Sequence, residues 1–180
     1  MAHYKVLAIS GSLRINSSAT MVLKQAISLF PSTVAINSYE GLAELPPFND
    51  SQDEPLAVKQ FKDLLRAADG VFICTPEYAF GVPGTLKNAL DWTVSSGEFV
   101  NKPVALITAA SVGTNAHASL LLILSALSAN VASGATLVIP FIRSKLDESG
   151  SIKDNATLQE VKIVVDAFVK ILTQENSFEN

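Results

Sequence analysis

Five short aliphatic runs alternate with segments of helical periodicity, and this alternation constrains the chain more than any other feature. The runs are Tyr4–Ile9, Thr33–Asn37, Gly70–Cys74, Pro103–Thr108 and Gly134–Ile139. Between them, apolar residues recur three and four apart, as in Val58, Phe61, Leu65 and Ala68, or Val82, Leu86, Ala89 and Leu90. That spacing marks helices with one buried face. Strands alternating with helices predict a parallel α/β sheet. Right-handed crossovers and the usual strand order 2-1-3-4-5 set the first and third strands side by side, with their helices on opposite faces. Ligands of such sheets bind beyond the carboxyl ends of the strands at that switch point. The loops ending there are Ser10–Ser17 and Thr75–Val82.

Individual elements follow from local signals. The first helix starts near Ser17, carries Ala19, Val22, Leu23, Ala26, Ile27 and Phe30, and is stopped by Pro31. Ser38–Asp53, with Leu45-Pro-Pro-Phe48, is a long connection of the kind that serves function or an interface. The second helix spans about Glu54–Ala67, and Pro83 suits the first turn of the third. The segment from Asn115 to about Ala129 is apolar nearly all round, which predicts deep burial or a subunit interface. Pro140–Lys153 reads as a loop, Leu158, Val161, Val165, Phe168 and Leu172 as the stripe of the last helix, and Asn176–Asn180 as a polar tail.

Length and charge limit the function. At 180 residues the chain fits one domain, 1–180. A net charge of −4, with lysines and arginines scattered, argues against nucleic-acid binding. No apolar run is long enough for a membrane span. The one cysteine, Cys74, excludes an internal disulfide and fits a core position in a reducing compartment, so a cytoplasmic protein is expected. His3 lies in the terminal tail and His117 opens an apolar helix; neither marks a metal site or a triad, and His117 reads as a structural or interface residue.

The first loop is rich in phosphate-binding chemistry. Ser10, Ser12, Ser17 and Ser18 bring hydroxyls, Arg14 a guanidinium, and a helix N-terminus follows. It lacks the Gly-x-x-x-x-Gly-Lys-Ser/Thr of triphosphate loops and the Gly-x-Gly-x-x-Gly of dinucleotide turns. An ordinary strand–helix turn with Ser17 as its cap is the alternative.

The stretch Thr75-Pro-Glu-Tyr-Ala-Phe-Gly-Val-Pro-Gly-Thr-Leu-Lys-Asn-Ala-Leu-Asp-Trp92 closely resembles the Pro-Glu-Tyr-Asn…Pro-Gly-x-Leu-Lys-Asn-Ala-Ile-Asp-Trp signature of the NAD(P)H-dependent FMN reductases. Ser10-Gly-Ser-Leu-Arg-Ile-Asn-Ser17 is similar to that family's Gly-Ser-Leu-Arg-x-x-Ser phosphate loop. The resemblance implies a flavodoxin-like three-layer sandwich, FMN as cofactor and NADPH or NADH as reductant. It implies a small-molecule acceptor such as free flavin, a quinone or an azo compound, and a homodimer or homotetramer. By the same resemblance Ser10, Ser12, Leu13, Arg14, Ser17 and Ser18 hold the phosphate. Pro76, Glu77, Tyr78 and Ala79 cradle the ring, and Ser111 and Gly113 of a third loop reach its edge. Glu77 also reads as a structural or solvated carboxylate. Lys87, Asn88, Asp91 and Trp92 read as helix-face, packing or subunit-contact residues. No side chain is expected to act as general acid or base, because the cofactor carries the chemistry. An FMN-binding electron carrier without nicotinamide oxidation stays open as an alternative. The chain departs from the pattern at Ala19, where the family often has Asn, at Ala79-Phe80, where Asn-Gly is usual, and in a third loop lacking its second glycine. These changes predict weaker flavin binding, access narrowed by Phe80, flavin acting as a substrate instead of a fixed group or, through Ala19 and Ala79, a scaffold that binds no flavin.

Overall fold

The structure is a computed structural model that describes residues 4–49 and 53–175. His3, the 176–180 tail and residues 50–52 of the long connection lie outside the described residues. The elements run β1 (Tyr4–Ser10), α1 (Ser18–Ser28), β2 (Val34–Tyr39), α2 (Leu56–Ala67), β3 (Gly70–Thr75) and α3 (Gly84–Asp91). They continue through β4 (Val104–Ala109), α4 (Thr114–Ala126), β5 (Thr136–Ile139), α5 (Ile142–Lys145) and α6 (Asn155–Glu175). The strands form one parallel sheet in the order β2-β1-β3-β4-β5, as the alternation predicts. A 3-10 turn at Gly41–Ala43 punctuates the connection after β2.

Alternate residues of each strand face opposite layers. Val6, Ala8, Phe72, Cys74, Ala105 and Ile107 pack under α1 and α6. Leu7, Ile9, Val71, Ile73, Val104 and Leu106 pack under α2, α3 and α4. Every residue of β3 and β4 is buried, so these two read as uninterrupted apolar runs. Phe72 anchors the first layer, with Phe30 at 5.5 Å and Phe168 at 5.7 Å, both edge-on, the arrangement the ring quadrupole favours.

Four expectations need correction. The helix predicted from Asn115 is not deeply buried: only Ala116, Leu120 and Leu124 are, and Leu122 is 74% exposed. Its periodicity is blurred because part-buried Leu121 and Ile123 and exposed Leu122 lie beside the buried stripe, so the sequence hides the fact that one side alone meets the sheet. The Pro140–Lys153 segment holds the four-residue α5, too short to leave a period. Pro83 caps α3 with an extended ψ of 131° and stands just before its first turn. The first helix ends at Ser28, before Phe30 and Pro31.

Candidate functional site

The loop after β1 leaves the sheet pressed against β3. The Gly11 amide donates to the Cys74 carbonyl at 2.8 Å, and a Cβ on Gly11 would fall 2.3 Å from Thr75 Oγ1 and 2.8 Å from Thr75 Cβ. Only glycine allows this approach. The chain then turns through Ser12, whose Oγ accepts the Arg14 amide at 3.2 Å, and enters α1 at Ser17. Ser17 is the N-cap, its Oγ accepting the Thr20 amide at 3.1 Å. Thr20 holds the loop closed: its Oγ1 lies 2.8 Å from both Ser10 Oγ and Ser17 Oγ and donates to the Arg14 carbonyl at 3.2 Å. Sequence reasoning missed Thr20, although its place three residues after a capping serine was a usable signal. Ala19, where the resemblance expects Asn, is fully buried against the core. Ser18 opens α1 half-buried, while Leu13 and Arg14 are exposed. A cleft of about 360 Å3 opens between this loop and the end of β2, with Arg14 and Lys24 on one side and Tyr39 and Glu40 on the other.

The loop after β3 meets the first. Tyr78 Oη lies 3.3 Å from Ser12 Oγ. Pro76 is buried, and its carbonyl accepts the Thr75 hydroxyl. Tyr78 and Gly81 exchange backbone hydrogen bonds of 3.1 and 2.9 Å, with Ala79 at φ 49° and Phe80 at φ 59° between them. Two consecutive left-handed residues make a type I′ turn, which normally demands Asn-Gly. Glu77 points away from that turn. Its Oε1 accepts the Gly113 amide at 3.2 Å and its Oε2 the Ala116 amide at 2.9 Å. Gly113, at φ 94°, is the N-cap of α4 and has no side chain to offer. A carboxylate from another loop therefore caps that helix, where its charge also meets the positive end of the helix dipole. These two bonds give Glu77 a structural contact.

The third loop is tied on its other side to the end of β5, the Ser111 carbonyl accepting the Phe141 amide at 3.1 Å. The third loop meets the second through the Glu77 bond to the Gly113 amide. His117 Nδ1 lies 2.9 Å from the buried Thr108 hydroxyl, and burial holds the imidazole below its usual pKa. The fold thus prefers neutral His117, while the unfolded chain protonates near pH 6.5. That contribution is complete above pH 6.5 and is lost as pH falls through the folded pKa. The thermal midpoint of the protein is expected to drop on acidification from pH 7 to about pH 5 more steeply than that of His117→Asn. Parallel curves would assign the acid loss to other groups.

The α3 residues of the signature pin the long connection. Asn88 Nδ2 and Trp92 Nε1 each donate to the Pro46 carbonyl at 2.9 Å, and Asn88 Oδ1 accepts the Phe48 amide at 2.7 Å. Trp92 and Phe48 meet edge-on at 5.2 Å, and Lys87 pairs with Asp91 one turn on. These are packing and helix-face roles, as the sequence suggests.

The donor set of the first loop suits a phosphate monoester. Residues 10–18 carry serine hydroxyls and a guanidinium and no carboxylate. The Ser18 and Ala19 amides lie in the first turn of α1, where the helix supplies no acceptor. The family model for NADPH-dependent FMN reductases matches residues 4–143. The chain belongs to that family. It is 34% identical over 175 residues to a quinone reductase of Escherichia coli strain K12, covering 91% of this chain and 93% of that one. It is 41% identical over 111 residues to an NADPH azoreductase of Bacillus sp. strain OY1-2, an alignment spanning 61% of this chain and 60% of that enzyme. A flavoenzyme NAD(P)H:(acceptor) oxidoreductase from Paracoccus denitrificans superposes with a TM-score of 0.84 at 27% identity, covering 95% of this chain and 98% of that one. The chain is therefore an oxidoreductase of the FMN reductase family with a flavodoxin-like fold. Among the described residues no helix is long and apolar enough to cross a membrane.

Proposed function

We propose that residues 1–180 act as one unit that binds FMN across the first and second loops and uses NADPH or NADH to reduce a small-molecule acceptor: free flavin, a quinone or an azo compound. The observation that carries this reading is the joining of three loops at the carboxyl edge of the sheet. Tyr78 meets Ser12, and Glu77 holds the loop of Ser111 and Gly113. Ser10, Ser12, Arg14, Ser17 and Ser18, with the first amides of α1, would hold the phosphate. The backbone of Pro76–Ala79 would donate to the pyrimidine edge of the ring, with Tyr78 beside it and the third loop at its rim. FMN, when bound, supplies the hydride chemistry. The protein fixes position and excludes water, so no side chain is assigned as a general acid or base. The face of α4 around exposed Leu122 and the signature helix α3 are the surfaces offered for a homodimer or homotetramer, and a cytoplasmic location fits the buried free Cys74 thiol.

The test is the visible spectrum of the purified protein, with FMN added and then NADPH or NADH without oxygen. Flavin bands that bleach within seconds support the reductase. Bound flavin left oxidised by both nicotinamides would replace it with an electron carrier, and a protein that takes up no FMN refutes the site.

A further inference from the structure

Among the described residues five non-glycine residues have positive φ, and they divide by location. Asn101 and Ser128 sit together away from the site, the Asn101 amide donating to the Ser128 carbonyl. Both are small and polar, and asparagine tolerates this conformation. The other three, Ala79, Phe80 and Phe141, follow β3 and β5 at the carboxyl edge. A bulky residue there is an outlier that persists only where the surroundings over-determine it.

Packing does not account for the two phenylalanines. Phe80 is 74% exposed and Phe141 is 69% exposed, so their rings add little burial to offset the strain. Both are held firmly by their backbones. Phe80 lies in the turn closed by Tyr78 and Gly81, and the Phe141 and Ile142 amides donate to the Ser111 and Ala110 carbonyls. Glu77 connects the two ends, reaching from beside the Phe80 turn to the loop on which Phe141 rests. Two aromatic rings are thus presented, at a cost in strain, on the two flanks of the third loop.

We propose that Phe80 and Phe141 are specificity-determining residues that contact a planar aromatic acceptor through their ring faces. The inference rests on the reductase reading above and adds the residues that recognise a flat acceptor. In the reaction NADPH gives up a hydride and becomes NADP+. A naphthoquinone takes that hydride and one proton from water to become the hydroquinone. Two ferricyanide ions take the same two electrons, releasing a proton, and ferricyanide offers no flat face to stack.

The test compares Phe80→Gly, Phe141→Gly and the double variant with the wild type, all FMN-loaded. Glycine removes the ring and accepts the left-handed backbone without strain. KM for 2-methyl-1,4-naphthoquinone should rise roughly threefold to tenfold per ring, the size of an aromatic pair interaction, with kcat/KM for ferricyanide unchanged. The Kd of the quinone for oxidised protein, read by flavin fluorescence without NADPH, should rise in step. The thermal midpoint should hold or rise by about 2–4 °C per glycine. A variant that is more stable yet poorer only with the flat acceptor is the supporting result. Equal quinone KM and Kd beside intact ferricyanide turnover would overturn the inference alone. So would equal loss with both acceptors, or a change of oligomeric state by light scattering, which would make the rings interface residues. A wild type inert toward both NADPH and NADH would remove the reductase reading and this inference with it.

Discussion

Gly11→Ala is expected to lose most FMN affinity, at least tenfold by flavin fluorescence, and to lower stability by about 1–3 kcal/mol. The added methyl would fall 2.8 Å from Thr75 Cβ and 3.1 Å from Leu86 Cδ2, besides its contact with Thr75 Oγ1. Rotating the threonine hydroxyl relieves only that last contact, because the Cβ moves with the strand. Thr75 is fully buried, so the loop must lift. Lifting it breaks the Gly11 bond to Cys74 and separates Ser12 from Tyr78, the contact joining the two loops that would hold phosphate and ring. In a chain of this size the stability term appears as a midpoint drop of roughly 3–10 °C. A folded Gly11→Ala protein with wild-type FMN affinity would show that the loop's seat on β3 does not govern binding.

Removing the Glu77 carboxylate should damage two loops with one change. Glu77→Ala leaves the Gly113 and Ala116 amides without their acceptors, and α4 has no side-chain cap of its own. Lost caps and lost charged hydrogen bonds together cost about 2 kcal/mol. The third loop then loses its tie to the second, and FMN affinity should fall at least tenfold. Glu77→Gln keeps one carbonyl acceptor but turns an NH2 toward the other amide, so it should lie between wild type and Glu77→Ala in both midpoint and Kd. If glutamine matched wild type in both, the charge would contribute nothing and shape alone would hold the loops.

The sheet was legible because it obeys short-range rules. Aliphatic runs such as Val71–Cys74 are buried on both faces, and the strand–helix alternation leaves few topologies. The loops were legible because the switch point of a parallel sheet names its own edge. What escaped depends on residues far apart in the chain. Glu77 and Ala116 are 39 positions apart, and nothing in either neighbourhood announces the bond. Thr20 was overlooked because a threonine in a helix's first turn is ordinary until its three partners are known. The type I′ turn at Ala79-Phe80 breaks the composition rule that would have marked it, and α4 hid its solvent face behind leucines.

The Thr20 junction bears on how an anion would be received. A hydroxyl owns one proton, and Thr20 gives its own to the Arg14 carbonyl. The proton in its bond to Ser17 therefore comes from Ser17, while Ser10 divides its single proton between the threonine oxygen and the Ser12 carbonyl. A phosphate drawing on those serines must turn their rotors and exchange an existing hydrogen bond for a new one. The exchange is near thermoneutral, so the serines would contribute selectivity of shape, and the net attraction would come from the first amides of α1 and the Arg14 guanidinium.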